Sequence, residues 1–192
     1  MQKLVTCIAV AVVLVSCGGD DSSEEPRAQR VTSEVVSHGS TRDVLVVAPE
    51  GEGSWPVVYA LTGIGGDGED LDTLATELAG EGFVVFAPDY RTDLSSQQGV
   101  IDAVTDAECA YRFAREIAPD YGGDLDQPMI FVGWSLGASL NLLGGLTEDV
   151  DPTGALFDCF TDDAPRADVV VAISGCYFEF DGNPGLPLGG VS

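Results

Sequence analysis

The sequence predicts an α/β domain, a mostly parallel sheet flanked by helices on both faces, and three observations carry that prediction. Short continuous apolar runs at 56–61, 83–87 and 129–132 read as buried strands, as parallel pairing requires, and 167–174 reads as a further strand. Between them, apolar residues recur at helical spacing. A Gly-x-Ser-x-Gly turn, Gly133-Trp134-Ser135-Leu136-Gly137, joins one such strand to one such helix. The chain has 192 residues, of which 45% are hydrophobic, enough for one domain with a real core and with no internal repeat.

Taken in order, 30–36 and 41–48 read as a strand pair with His38-Gly39 in the turn. The run 56–61 is a buried strand. Residues 70–79 form a helix with Leu71, Leu74, Ala75 and Leu78 on one face, and 83–87 is the next buried strand. A longer amphipathic helix covers 101–118, strand 129–132 enters the serine turn, and helix 138–146 leaves it. An irregular acidic segment, 147–166, leads to a last strand at 167–174. Strands alternating with helices imply crossover connections, hence parallel neighbours covered on both faces.

The first residues stand outside this pattern. Lys3 precedes an almost wholly apolar stretch, 4–15, of the length of a secretory leader and too short for a stable membrane span. Leu14-Val15-Ser16-Cys17 resembles a bacterial lipobox, which implies a leader at 1–16 and a lipid on Cys17; an ordinary cleaved leader is the alternative. Residues 17–30, rich in Gly, Asp, Ser and Glu, read as a flexible acidic tether. Either way the protein is expected to be exported, touching the membrane outer face only through that lipid.

Val57-Val58-Tyr59-Ala60-Leu61-Thr62-Gly63-Ile64-Gly65-Gly66 is a strand running into a glycine-rich loop. Phe83-Val84-Val85-Phe86-Ala87-Pro88-Asp89-Tyr90-Arg91 is a strand with a Pro-Asp-Tyr-Arg ending. Asp102-Ala103 and Asp106-Ala107 lie in the helix before the serine turn, and Tyr121-Gly122-Gly123-Asp124 ends that segment. In this order, over 57–180, these segments resemble the α/β-hydrolase family, in particular its secreted esterase and dienelactone-hydrolase-like members. The domain at 31–192 would then be a partial α/β-hydrolase domain.

The resemblance implies that Ser135 is the nucleophile, with Gly133 and Gly137 as the glycines of its elbow. Acyl transfer needs preorganised N–H donors for the charge developing on the carbonyl oxygen. The resemblance places them at Leu136, opening a helix whose dipole favours an anion, and at Ile64 in the glycine-rich loop. Many family members carry His where this chain has Thr62. A serine hydroxyl also needs a base, normally His oriented by a carboxylate. His38 is the only histidine and lies near the first strands, whereas the family places its base after the final strand. Glu179 and Asp181 follow the last strand, where a minority of the family takes its acid. The expectation is a C-terminally truncated chain with little turnover of its own.

Of five cysteines, Cys7 belongs to the leader and Cys17 to the lipid, leaving Cys109, Cys159 and Cys176 as disulfide candidates. The resemblance favours Cys109 with Cys159; Cys159 with Cys176, or Cys176 with a residue further on, stay open. Neither their spacing nor a single histidine suits zinc, and no cofactor is expected. A formal charge of −24 excludes nucleic acid and anionic headgroups as electrostatic partners. Acidic residues gather in the tether, at 67–72 and at 148–168, a solvated surface first, with salt adaptation or a calcium loop at 67–72 as alternatives. The expected function is cleavage of small carboxylic esters through an acyl-enzyme on Ser135. The competing reading is a non-catalytic surface lipoprotein that binds through a hydrolase-like fold.

Overall fold

The computed structural model describes residues 31–38, 42–146 and 167–174. Its β-branched runs form six strands: β1 (Val31–His38), β2 (Arg42–Pro49), β3 (Val57–Leu61), β4 (Val84–Pro88), β5 (Ile130–Trp134) and β6 (Val169–Ile173). They make one sheet in the order β1-β2-β4-β3-β5-β6. β1 and β2 are antiparallel to each other, β2 is antiparallel to β4, and β4, β3, β5 and β6 run parallel. Three helices, α1 (Asp72–Gly80), α2 (Gln97–Ile117) and α3 (Leu136–Leu146), make the crossovers.

Every residue of β3 and β4 is buried, and alternate side chains go to opposite faces. Val58, Ala60, Val85 and Ala87 pack with Ala75 and Ala79 of α1. Val57, Tyr59, Leu61, Val84 and Phe86 join α2 residues, Phe131 and Leu140 in a larger cluster on the other face. At its centre the rings of Tyr59 and Tyr111 meet edge to face with centroids 4.0 Å apart, and Tyr111 stacks on Phe131 at 4.5 Å. The hydroxyl of Tyr59 donates to the Ala107 carbonyl (3.2 Å) and that of Tyr111 to Asn141 Oδ1 (2.6 Å). Burial pushes both phenol pKa values up, so each stays a donor. Two strands and two helices are thereby tied beneath the serine turn.

Glu108 lies in the buried stripe of α2 and is only 4% exposed. Burial lifts its carboxyl pKa to about 7, against the opposing pull of Arg112 one turn on. Gly144 of α3 leaves it room, since a Cβ there would stand 2.5 Å from Glu108 Oε1. At the amino end of β3, Trp55 pairs with Gly123, and a Cβ at Gly122 would meet its ring at 2.5 Å. The other tryptophan, Trp134, closes β5 at the carboxyl end and is 56% exposed.

Each expected element is present, with shifted ends. His38 is the last residue of β1, paired with Arg42, and not a turn residue. α1 opens at Asp72 because a 3-10 turn, Gly68–Leu71, takes the preceding residues. The carboxylates of Asp67 and Asp70 cap that turn reciprocally. Among the described residues no group of three or more His, Cys, Asp or Glu could hold a metal ion. α2 begins at Gln97, four residues earlier than 101, where Ser96 Oγ caps it by accepting from the Gly99 N–H (3.1 Å). No helix among the described residues is long and apolar enough to cross a membrane. The leader, tether and Cys17, the acidic segment with Cys159, and Cys176, Glu179 and Asp181 lie outside the described residues.

Candidate active site

Ser135 stands alone between the last residue of β5 and the first of α3. Its φ of +53° lies in the left-handed region, where a side chain other than hydrogen is disfavoured. The turn persists because its surroundings fix it. The Ser135 N–H donates to the Ile173 carbonyl of β6 (2.9 Å), and the Gly137 N–H to the Thr62 carbonyl after β3 (3.0 Å). Ser135 is partly exposed at the carboxyl end of the parallel strands, where ligands of such sheets bind.

Both elbow glycines are required by close approach. A Cβ on Gly133 would come 2.4 Å from the Gly137 carbonyl. One on Gly137 would come 2.3 Å from the Thr62 oxygen and 2.4 Å from the Leu61 oxygen. These contacts are far inside van der Waals range, so the strand, the helix start and the loop after β3 are seated backbone on backbone.

That loop reaches the serine directly. A Cβ on Gly63 would stand 3.2 Å from Ser135 Cβ and 3.8 Å from Oγ, so Ile64 follows the residue that touches the nucleophile candidate. The Gly66 N–H closes a turn onto the Gly63 carbonyl (3.3 Å), and Gly65 takes φ +80°. Leu136, the first residue of α3, has an N–H with no intrahelical acceptor, and the helix dipole adds positive potential there. Ser135, Gly133, Gly137, Leu136 and Ile64 are thus assembled at one point. Thr62, buried in this loop, spends its carbonyl on Gly137, and its hydroxyl has no partner among the described residues.

Two large apolar residues, Ile64 next to Gly63 and Trp134 next to Ser135 in the chain, are 63% and 56% exposed. His38 is not part of this assembly. It ends β1, four strand positions from β5, which at the usual strand spacing is about 19 Å. Among the described residues no side chain hydrogen-bonds Ser135 Oγ.

Residues 89–91 enter the sequence reading only as part of a strand ending and Thr92 not at all, yet 89–92 hold the loop. Tyr90 donates its hydroxyl to the Thr62 carbonyl (2.7 Å), Thr92 Oγ1 accepts from the Gly65 N–H (3.2 Å), and Asp89 Oδ1 accepts from the Gly68 N–H (2.8 Å). The signal available was the Asp89-Tyr90-Arg91-Thr92 run of hydrogen-bonding side chains at the carboxyl end of a central strand.

The family model described as BD-FAE matches residues 46–177. The propionate-bound thermophilic esterase of the planctomycete Thermogutta terrifontis superposes with a TM-score of 0.58 at 20% identity, covering 76% of this chain and 54% of that one. The inhibited esterase B of Lactobacillus rhamnosis gives 0.54 at 20% identity, covering 68% and 44%. Vibralactone cyclase gives 0.54 at 19% identity, covering 68% and 40%. The chain therefore spans roughly half or less of the length of these proteins, and at such identities the likeness is one of fold. No curated protein matches the chain.

Proposed function

The chain belongs to the BD-FAE family and has an α/β-hydrolase fold, and from that premise we propose that it is a carboxylic ester hydrolase whose nucleophile is Ser135. The observation that carries this reading is the serine at φ +53° between strand and helix, with the Gly63 backbone against its side chain. Its Oγ attacks the ester carbonyl and gives up its proton to a base. The N–H groups of Leu136 and Ile64 receive the oxyanion, and the alcohol leaves as the acyl group stays on Ser135. Water then releases the acid by the reverse proton path. Ile64 and Trp134 offer apolar contact to an uncharged ester, and the charge of −24 repels anionic substrates.

The acid and base are proposed to come from outside the described residues, since His38 is about four strand spacings from the serine. Residues 1–16 act as an export leader and Cys17 as the lipid-bearing residue, an anchor at the outer face of the membrane. Cys109 is disulfide-bonded, in keeping with an oxidising compartment, and Cys159 is the proposed partner.

Fluorophosphonate treatment of the protein expressed from its full reading frame, read by peptide mass spectrometry, tests the central claim. The expected adduct sits on Ser135 and is lost in Ser135→Ala. A full-length protein that has a histidine after its last strand yet leaves Ser135 unlabelled would favour the binding reading instead.

A further inference from the structure

Resting on the reading of Ser135 and the 62–66 loop as an acyl-transfer site, we infer that Tyr90 is a positioning residue. Its buried hydroxyl holds the Thr62 carbonyl, and through it the Ile64 amide, in register with the serine, and Arg91 anchors this strut to α2. One oxygen joins three parts of the molecule. The Thr62 carbonyl accepts both from Tyr90 Oη at 2.7 Å and from the Gly137 N–H at 3.0 Å, linking the loop, the segment after β4 and the helix that follows the serine. Tyr90 is 5% exposed, and burial pushes its pKa well up, so the phenol remains a donor to an oxygen that can only accept.

The loop needs such a hold. Glycine at 63, 65 and 66 allows close approach but leaves the segment conformationally free, while oxyanion donors act only when fixed to within about 0.5 Å. Arg91 supplies the fixed end. Its guanidinium grips Asp106 with two bonds, Nε to Oδ2 at 2.8 Å and NH2 to Oδ1 at 2.6 Å, and pairs with Asp102 at 2.8 Å. Its backbone N–H adds a third bond to Asp106 (2.9 Å). Asp102 and Asp106 are one helical turn apart, so both face the same arginine. The hydrogen bond to Asp106 is the chief reason the Arg91 pKa is raised. The same segment also holds Gly65 and Gly68, through Thr92 and Asp89. The ion pairs therefore set the place of a tyrosine that sets the place of the loop.

The test is Tyr90→Phe, which removes one oxygen and keeps the ring, with Arg91→Gln as a second variant that leaves the core untouched. Amide hydrogen exchange of the folded chain reads the strut independently of any activity. The expected result in Tyr90→Phe is exchange about 3- to 10-fold faster at 62–66, as one lost hydrogen bond allows, with β3 and β4 amides unchanged. Arg91→Gln should act at the same residues. In the full-length protein, the maximal rate of fluorophosphonate labelling at Ser135 should fall while the concentration for half-maximal rate holds. Loop exchange equal to that of the parent, or acceleration spread evenly over the sheet, overturns the inference. Loop exchange that responds while Ser135 never labels would retire the acyl-transfer reading and leave the hold of Tyr90 on the loop standing.

Discussion

Replacing Gly137 with alanine should unseat the elbow from the loop while changing a single hydrogen to a methyl. The added Cβ would start 2.3 Å from the Thr62 oxygen and must retreat to at least 3.0 Å, so helix and loop must part by about 0.7 Å. Both obstacles are backbone atoms, which cannot rotate away. Overpacking of this kind costs about 1–3 kcal/mol. The retreat also lengthens the Gly137 N–H bond to Thr62, worth about 1 kcal/mol, so the expected loss is about 2–4 kcal/mol. Gly80→Ala is the control, since nothing lies within 4 Å of a Cβ there and it ends α1; no loss, and up to about 1 kcal/mol of gain, is expected. Urea unfolding measures both. A serine displaced by a sizeable fraction of an ångström should also label about 100-fold more slowly in the full-length protein. If Gly137→Ala unfolds at the parent's midpoint, the backbone-on-backbone seating is wrong.

Two further outcomes are expected. Ser135→Gly relieves the left-handed strain and should raise stability by about 1 kcal/mol while abolishing fluorophosphonate labelling; a fall in the unfolding midpoint would contradict the strain at that residue. Glu108 has its pKa raised from 4.5 to about 7, so the folded state binds the extra proton, and stability present below pH 4.5 is lost as pH rises through 7. Glu108→Gln should then match the parent near pH 4 and exceed it at pH 8 by on the order of 3 kcal/mol; equal urea midpoints at pH 8 would refute a neutral buried carboxyl.

The elbow was legible because everything it needs is local: an apolar strand, two glycines and a helix within a dozen residues. Its partners were not, because the Thr62 carbonyl, Tyr90 and Gly137 meet across 28 to 75 positions of sequence. The 56–61 and 83–87 runs announced burial through unbroken apolar residues, and every residue of β3 and β4 is buried, while Pro56 and Phe83 just before them are partly so. The start of α2 was missed because Gln97-Gln98-Gly99 is polar and contains a helix breaker; its cap, Ser96, signals a helix only once the next turn is recognised. The burial of Glu108 is not assigned from the sequence, although Val104, Ala107 and Tyr111 bracket it at helical spacing. Only Gly144 on the facing helix, a position no local pattern reports, makes room for the carboxyl. Periodicity finds the buried stripe but not the exception within it.

The two tryptophans sit at opposite ends of the sheet, and that gives the chain its own pair of optical reporters. Trp55 is wedged among glycine backbones at the amino end of β3, remote from the serine, and its emission follows folding. Trp134 is the residue before Ser135 and stands largely in water. An occupant of the serine's surroundings changes the solvent around one indole and leaves the other as an internal reference, so site occupancy and global unfolding separate in a single fluorescence spectrum without any label.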